Sequence, residues 1–165
     1  MKALIDENVA LAPLTTFGIG GPARYFIDAP DEQAIVESIQ FAKEKNLPLF
    51  VLGGGSNLLV ADAGFPGLVL KVGIMGIEWQ SDRNSTIVRS GAGEQWDPLV
   101  ALCVDRDLAG VECLSGIPGS AGGTPVQNVG AYGQEVSEVL TSLRAYDRQT
   151  HTIYVYEMSD RKKPN

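Results

Sequence analysis

The spacing of apolar residues in the first third of the chain predicts a small unit of strands and one helix. The segment ARYFIDA alternates apolar and polar residues, which predicts a strand over residues 23–29. Asp31 then stands at an N-cap position before apolar residues at helical spacing. A helix is therefore predicted over residues 32–46, and Pro48 ends it. The apolar run over residues 47–53 predicts a buried strand, which completes a β-α-β unit.

The rest of the chain predicts more strands than helices. Asp97 and Pro98 form an N-cap and N1 pair, so we expect a helix from there to about residue 107. Short apolar or alternating runs bounded by Gly, Pro or Asp predict extended segments elsewhere. These segments cover residues 57–60, 67–72, 76–79, 86–90, 139–147 and 152–157, the last two as a hairpin around the turn DRQT. The final residues, SDRKKPN, predict a polar tail.

Two glycine-rich segments interrupt this pattern. Residues 115–133 read SGIPGSAGGTPVQNVGAYG and have no helical or strand period, and residues 52–60 read LGGGSNLLV. A glycine inside regular structure costs roughly 0.5–1 kcal/mol relative to alanine, so these clusters indicate special backbone geometry that packing or a ligand stabilises. No helix is predicted directly after the shorter segment, which disfavours a Rossmann dinucleotide fold. We therefore expect two glycine cradles that hold one long ligand at two places.

Charge and length narrow the class of ligand. The 165 residues predict about one domain, or two small lobes that share a ligand. The net charge of -7 argues against nucleic acid and anionic membranes as partners, because both require a basic surface. Any phosphate must then be held locally by backbone N–H groups. The acidic N-terminus does not resemble a signal peptide and no apolar run reaches about 20 residues, so we expect a cytoplasmic protein.

Cysteine and histidine give no sign of a metal site or a nucleophile. The two cysteines, Cys103 and Cys113, fit a reducing compartment and have no metal-ligand spacing. Cys103 lies in an apolar helical pattern and is predicted to be a small buried side chain. The single histidine, His151, lies between two threonines near a turn, where a surface position is expected.

Four segments of the chain resemble one enzyme family. They read TTFGIGGPARYF, LGGGSNLLVADAGFPGLVL, SGAGEQWDPLV and SGIPGSAGGTPVQNVGAYGQEV, and they span nearly the whole chain. The GGGSN loop is shared with the wider vanillyl-alcohol-oxidase type of flavoprotein, whereas the run from IPG to GAYG is much more specific to a single enzyme family. The chain resembles the UDP-N-acetylenolpyruvoylglucosamine reductases, also called UDP-N-acetylmuramate dehydrogenases.

This resemblance implies an α+β fold, the FAD-binding domain of the vanillyl-alcohol-oxidase (PCMH) type, with FAD bound non-covalently between two lobes. The expected lobes are a small α/β lobe over residues 1–72 and a larger lobe over residues 73–158, with a mainly antiparallel sheet and flanking helices. Residues 159–165 form the tail.

The resemblance also implies an oxidoreductase reaction. In the family NADPH reduces the flavin, and hydride then passes from flavin N5 to the enolpyruvyl ether of the UDP-sugar substrate. The product, UDP-N-acetylmuramate, is used for peptidoglycan synthesis, and hence for cell-wall biogenesis, cell shape and cell division.

The family pattern implies cofactor-binding residues in both glycine segments and beside them. Around the FAD pyrophosphate it implies Gly53, Gly54, Gly55, Ser56, Asn57 and Leu58. Beside the flavin and the diphosphate it implies Gly119, Gly122, Gly123, Thr124, Gln127, Asn128, Gly130, Ala131 and Tyr132, and in the same cleft Gly91 with its neighbour Gly93. No catalytic residue and no metal ligand is assigned in this chain.

Most of these assignments have a structural alternative. The GGGSN loop also fits a plain tight turn, and Gly91 also fits a bulge or a turn at a strand end. Asn128 and Tyr132 also fit a role in holding their own loop together. Arg24 is a cation near the expected ligand, although an arginine on a strand is more often solvated or paired at the surface.

The family pattern continues further than this sequence does. It runs past the hairpin into an F-G-Y-R-x-S segment with an essential arginine. A substrate-binding domain then supplies a serine proton donor and a glutamate, and YVYEMSDRKKPN contains neither segment. We therefore expect the FAD-binding portion only, which meets the UDP-sugar only together with the missing domain. We expect no turnover alone, because losing one preorganised group typically costs about 10²–10³ in rate.

Two other functions also fit the residues. The first is a non-catalytic module that binds FAD or another nucleotide and acts through a partner. An unpaired strand edge near residues 152–157 and exposed apolar surface would favour self-association in that case. The second is a related flavoprotein oxidase, whose chains usually differ in the longer glycine segment and often attach the flavin covalently.

Overall fold

The computed structural model describes residues 4–158, and within that range it contains ten strands and four α-helices. The strands are β1 Asp6–Ala10, β2 Pro22–Ala29, β3 Leu49–Leu52, β4 Phe65–Val72, β5 Ile77–Ser81, β6 Thr86–Ser90, β7 Gly130–Ala131, β8 Gln134–Glu135, β9 Ser142–Asp147 and β10 Thr152–Glu157. The helices are α1 Glu32–Glu44, α2 Trp96–Val104, α3 Thr124–Gln127 and α4 Val136–Val139, with 3₁₀ turns at Ala12–Leu14 and Glu112–Leu114. The tail predicted for residues 159–165 lies outside the described residues.

The first part of the chain forms a four-stranded sheet in the order β1-β2-β4-β3. Strands β2, β4 and β3 are parallel, and β1 pairs antiparallel to β2. The predicted β-α-β unit is present, but β4 lies between its two strands. Strand β1 was not predicted, because its sequence DENVA is mostly polar and lies at an exposed sheet edge. The parallel strands end together, so the residues that follow them meet at one edge of the sheet.

Each face of this sheet packs against a different part of the chain. Helix α1 covers one face, and its predicted N-cap is confirmed, since the Asp31 carboxylate accepts a hydrogen bond of 2.8 Å from Ala34 N–H. The residues buried there are Ile27, Ala29, Ala34, Ile39, Ala42, Leu68 and Leu70. The other face is covered by the chain after β1 and by the chain after the shorter glycine segment, around Leu11, Ala23, Phe26, Leu52 and Val69.

The second part of the chain has its own core around helix α2. Trp96, Leu99 and Val100 are buried with Leu114 and Val136. The Trp96 indole Nε1–H donates a 3.0 Å hydrogen bond to the carbonyl of Leu114. Because a buried indole N–H needs an acceptor, this bond fixes helix α2 to the chain that leads into the longer glycine segment. Cys103 is buried on the same helix, as predicted.

The antiparallel strands of this part form three separate two-stranded ladders, β5–β6, β7–β8 and β9–β10, within the described residues. The β9–β10 hairpin attaches to helix α1 at both ends of the helix. Arg144 forms a 2.9 Å ion pair with Glu32, and Lys43 Nζ lies 3.4 Å from Nε2 of His151, which is exposed as expected. In residues 4–158, no helix has both the length and the apolar character needed to cross a membrane.

Three local predictions were wrong. Residues 57–60 form no strand, because their backbone has no neighbouring strand. Helix α2 begins at Trp96 after Gln95, and Asp97 does not cap it, because its carboxylate accepts hydrogen bonds from residues 115 and 116 instead. Strand β9 begins at Ser142 and not at residue 139, because helix α4 occupies the chain before it.

Candidate functional site

A cavity of about 470 Å³ lies where the carboxyl ends of the parallel strands meet the second part of the chain. One wall comes from the sheet and the segment after β1, and the opposite wall comes from the chain before α2 and from the longer glycine segment. Its lining residues are Pro13, Leu14, Thr15, Thr16, Asp28, Gly53, Gly54, Lys71, Val72, Gly73, Met75, Gly93, Gln95, Gly119 and Ser120. We call this the first cavity.

The two glycine segments touch each other in the first cavity. A Cβ atom on Gly54 would lie 2.8 Å from Gly119 Cα and 2.9 Å from its carbonyl carbon, so only glycine permits this approach. The Ser56 hydroxyl donates a 3.4 Å hydrogen bond to the carbonyl of Pro118, which joins the segments a second time. A ligand that filled this cavity would therefore contact both segments.

The shorter segment presents backbone donors that the protein leaves unused. The N–H groups of residues 54–57 donate no hydrogen bond to any residue between 4 and 158. Gly55 adopts a φ of +68°, and its carbonyl accepts from Thr16 N–H, which holds the loop in a curved shape. Successive N–H groups in such a curve form an anion site, because each adds a partial positive charge.

An ion pair also lines the first cavity. Lys71 Nζ lies 2.5 Å from the Asp28 carboxylate, and the two residues are register neighbours at the ends of β4 and β2. Among the residues that line the cavity, these are the two charged side chains. Sequence reasoning missed both, although each lies at the end of a predicted strand. The sequence also gave no specific signal for Ser120 or for Pro13 to Thr16.

A second cavity, of about 760 Å³, is lined by the later half of the longer glycine segment and by the residues that follow it. Its lining residues are Ile117, Gln127, Asn128, Val129, Gly130, Ala131, Gly133, Gln134, Glu135 and Glu138. Four of the predicted site residues are among them: Gln127, Asn128, Gly130 and Ala131. Tyr132 is not, and its side chain is 92% exposed.

Polar side chains of the second cavity are bonded to one another. Asn128 Nδ2–H donates a 2.7 Å hydrogen bond to Glu135, and the Asn128 amide oxygen accepts from Ser137 N–H at 3.2 Å. Glu135 and Glu138 form a capping box at the start of α4. Gln134 accepts from Cys113 N–H at 3.0 Å. Among the described residues that line this cavity the charged groups are both carboxylates, so it does not favour an anion.

Several predicted residues hold the loops and line neither cavity. Gly91 N–H donates a 2.8 Å hydrogen bond to the carbonyl of Gly76, and Gly122 N–H donates a 2.9 Å hydrogen bond to the carbonyl of Ala92. The buried Thr124 hydroxyl donates 2.9 Å to the carbonyl of Ala121. Gly55 is buried against the carbonyl of Leu14, and Gly123 closes a turn with Ser120. Of the other predicted residues outside both linings, Ser56 bonds to Pro118, half-buried Leu58 packs against the sheet core, and Asn57 is exposed.

The entry to the longer segment is fixed by Asp97. Its carboxylate accepts a 2.5 Å hydrogen bond from Gly116 N–H and a 3.0 Å bond from the Ser115 hydroxyl. These two bonds, the first more than the second, lower the pKa of Asp97 below its ordinary value. The start of the longer segment is therefore attached to the first turn of α2.

Comparison with known proteins assigns the chain to a family. The FAD binding domain family matches residues 23–155. The chain is 50% identical over 145 residues to a UDP-N-acetylenolpyruvoylglucosamine reductase of Streptomyces avermitilis, covering 88% of this chain and 39% of that protein. It is 46% identical over 149 residues to the reductase of the same name from Thermobifida fusca, covering 90% of this chain and 42% of that protein.

Structural comparison agrees with the sequence comparison. The crystal structure of UDP-N-acetylenolpyruvylglucosamine reductase (MurB) from Thermus caldophilus matches with a TM-score of 0.73 at 28% identity, covering 94% of this chain and 53% of that chain. This chain thus spans about two fifths of the length of these sequence relatives. The predicted α+β fold of FAD-binding type and its cofactor FAD are confirmed. The chain belongs to the FAD binding domain family.

Proposed function

We propose that this chain is the FAD-binding part of an NADPH-dependent UDP-N-acetylenolpyruvoylglucosamine reductase that acts in the cytoplasm. The observation that carries the proposal is the meeting of Gly54 and Gly119 in one cavity beside backbone N–H groups that no described residue uses. The similarity to reductases of that name extends over about nine tenths of this chain. The reaction would supply peptidoglycan synthesis, and through it cell-wall growth, cell shape and division.

The residues of the first cavity fit the diphosphate of FAD. A diphosphate needs several hydrogen-bond donors and room to approach the backbone. Gly54 in the cavity lining and the adjacent residues 55–57 have unused N–H groups, and the glycine walls leave the room. The second cavity has carboxylates and apolar side chains at its lining, so it fits an uncharged ring better than a phosphate. We therefore assign Gly53, Gly54 and Gly119 to the diphosphate, and Gln127, Gly130 and Ala131 to the flavin end. The Asn128 side chain, which is bonded to Glu135 and Ser137, is assigned to holding this loop.

The chain's own contribution to the reaction is to bind and orient FAD. FAD, when bound, supplies hydride transfer between NADPH and the enolpyruvyl ether. The contact between Gly54 and Gly119 fixes the distance between the two cavity walls, and Ser56 and Asp97 hold the loops that form them. Substrate contacts and proton donation belong, in this proposal, to the part of the relatives that this chain does not match.

The visible absorption spectrum tests cofactor binding. The purified chain is mixed with FAD, separated from free flavin, measured, and then denatured. We expect flavin bands with the protein, and free FAD released on denaturation, because binding is non-covalent. A protein that retains no flavin at saturating FAD overturns the proposal, and flavin that stays with the denatured chain overturns the non-covalent part of it.

A chimera tests the reductase activity. This chain replaces the matching portion of the Thermobifida fusca reductase, and NADPH oxidation is measured with and without UDP-N-acetylenolpyruvoylglucosamine. We expect substrate-dependent oxidation by the chimera and none by this chain alone. The same chimera with Gly54→Val is the matched control and is expected to lose both FAD and activity. A folded chimera that retains FAD but does not respond to the substrate contradicts the assignment.

Self-association is a separate part of the proposal. Strand β10 pairs with β9 alone among the described residues, and Tyr154, Val155 and Tyr156 are each 41–57% exposed on it. An unpaired edge with exposed apolar side chains favours contact with another chain. Light scattering during size-exclusion chromatography is expected to show dimers or larger species, and a clean monomer at high concentration contradicts this.

A further inference from the structure

The ion pair in the first cavity has an unusual position for a surface pair. Asp28, Lys71 and Leu52 are register neighbours on three adjacent parallel strands, so their side chains emerge on the same sheet face at its carboxyl edge. The Lys71 and Asp28 side chains are 34% and 48% exposed. Both line the cavity that Gly53, Gly54 and Gly119 also line. The pair therefore faces the space between the two glycine segments.

The local backbone leaves room for this pair. A Cβ atom on Gly73, which also lines the cavity, would overlap the Asp28 carboxylate. Any side chain at position 73 would therefore displace Asp28 and, with it, the partner of Lys71. In the lining of the second cavity the charged groups are carboxylates, so Lys71 makes the first cavity the electrostatically favoured place for an anion.

We propose that Lys71 binds the diphosphate of FAD through its ammonium group, and that Asp28 weakens this binding while it holds Lys71 in place. The inference rests on the proposed function. An ammonium has three N–H donors, so Lys71 can keep one bond to Asp28 and donate another to a phosphate oxygen. The Asp28 carboxylate repels the same phosphate, because like charges at short range oppose each other.

The need for a cation follows from the charge of the whole chain. The net charge of -7 disfavours approach of a diphosphate, and backbone N–H groups carry only partial charges. One full positive charge beside the glycine loop offsets this repulsion locally. Removing it is expected to reduce FAD affinity by about tenfold at low ionic strength, and by less as added salt screens the charges.

The experiment compares paired substitutions at two ion pairs. Lys71→Met and Asp28→Asn change the cavity pair. Arg89→Met and Glu78→Gln change the exposed pair between β6 and β5, whose atoms are 3.7 Å apart and which lies outside the cavity lining. Each variant is titrated with FAD, with ADP and with riboflavin, which lacks phosphate, by flavin fluorescence or calorimetry at low and at physiological ionic strength. Circular dichroism confirms the fold of each variant.

The expected pattern depends on charge and on phosphate. Lys71→Met lowers the affinities for FAD and ADP by about tenfold and changes the affinity for riboflavin by less than about twofold. Asp28→Asn strengthens the binding of FAD and ADP by about threefold. It removes the repelling charge, and the amide oxygen of asparagine can still accept a hydrogen bond from Lys71. The two controls at the exposed pair change none of the three affinities.

Two outcomes overturn the inference, and they are distinguishable. If the unchanged chain binds FAD and Lys71→Met binds it equally well, the role of Lys71 is overturned while the proposed function stands. If the unchanged chain binds no FAD, both are overturned. If Lys71→Met does not fold, the ADP titration of Asp28→Asn tests the inference by itself. Stronger binding of ADP supports the inference, and unchanged or weaker binding overturns it.

Discussion

The two cavities are lined by similar glycine-rich sequence but are built differently. The first is lined by Gly54, whose N–H group is unpaired with described residues like those of the adjacent residues 55–57, and by the Lys71 ammonium. In the second, Asn128, Gln134 and Glu135 are bonded to one another and to the backbone. The first cavity therefore has donors to offer a ligand, whereas the second has used most of its polar groups to hold its own loop.

This difference separates two uses of glycine in one chain. At Gly54 the missing side chain brings two loops into contact around a cavity. At Gly122 it allows the loop to pack against Ala92, outside both cavities. A glycine-rich segment thus indicates close approach of backbone, and the hydrogen-bond partners of its neighbours decide whether the approach serves a ligand or the fold.

The largest expected effect comes from the core that supports both cavities. Trp96→Ala removes a buried indole and its bond to Leu114, and we expect a loss of about 3–5 kcal/mol in the free energy of unfolding. The backbone N–H of Trp96, which donates to the carbonyl of Gly119, remains in Trp96→Ala, but the cavity left in the core beneath it should displace Gly119 and lower FAD affinity. Denaturant unfolding and FAD titration measure the two effects.

Trp96→Phe is the matched control, because it keeps most of the buried volume and loses the indole hydrogen bond to Leu114. We expect it to lower the free energy of unfolding by about 1–3 kcal/mol, because the Leu114 carbonyl loses its donor, and to leave FAD bound. Equal losses in the two variants, or undiminished FAD binding by Trp96→Ala, would show that the first cavity does not depend on this core.

A matched pair of glycine substitutions compares the cavities directly. In Gly54→Val the new Cβ lies 2.8 Å from Gly119 Cα, whereas in Gly130→Val it lies 3.1 Å from the carbonyl oxygen of Gln134. ADP affinity should fall at least about tenfold, or about 1.4 kcal/mol, in Gly54→Val and change little in Gly130→Val. Calorimetry with ADP is the measurement. A similar fall in both variants contradicts the assignment of the diphosphate to the first cavity.

A smaller effect is expected at Asn128, where the structural alternative is the stronger one. Asn128→Gly removes the bonds to Glu135 and Ser137, and glycine tolerates the positive φ of this position. We expect about 1 kcal/mol lower stability and unchanged FAD affinity. A fall in FAD affinity with unchanged stability would instead assign Asn128 to the flavin.

The smallest effect concerns the pH dependence of the longer segment. Asp97 has a lowered pKa in the folded chain because Gly116 N–H and the Ser115 hydroxyl bond to its carboxylate. Its contribution to stability is therefore complete above the unfolded pKa of about 3.9 and is lost as pH falls through the lower folded value. The Gly116 amide shift should titrate with a midpoint below 3.9, and Asp97→Asn should abolish the titration. A midpoint at or above the unfolded pKa would show that Ser115 and Gly116 do not hydrogen-bond to the Asp97 carboxylate.

The sequence predicted local elements better than it predicted the cavity walls. Helix α1 with its Asp31 cap, strand β6 and the β9–β10 hairpin follow from short-range patterns. The direct contact between the two glycine segments was not predicted, because it depends on how distant parts of the chain pack. Lys71 and Asp28 were missed because they become neighbours only when β4 pairs beside β2, and that pairing is not encoded in either strand alone. Asp97 was misassigned because a distant loop competes for its carboxylate.

The most direct test of the account is an amide chemical-shift titration of the chain with FAD. We expect the largest shifts and the strongest protection from hydrogen exchange at the N–H groups of residues 54–57, with ADP reproducing those shifts and riboflavin failing to do so. Shifts that are confined to the residues lining the second cavity, or that riboflavin reproduces at residues 54–57, would contradict the placement of the diphosphate in the first cavity.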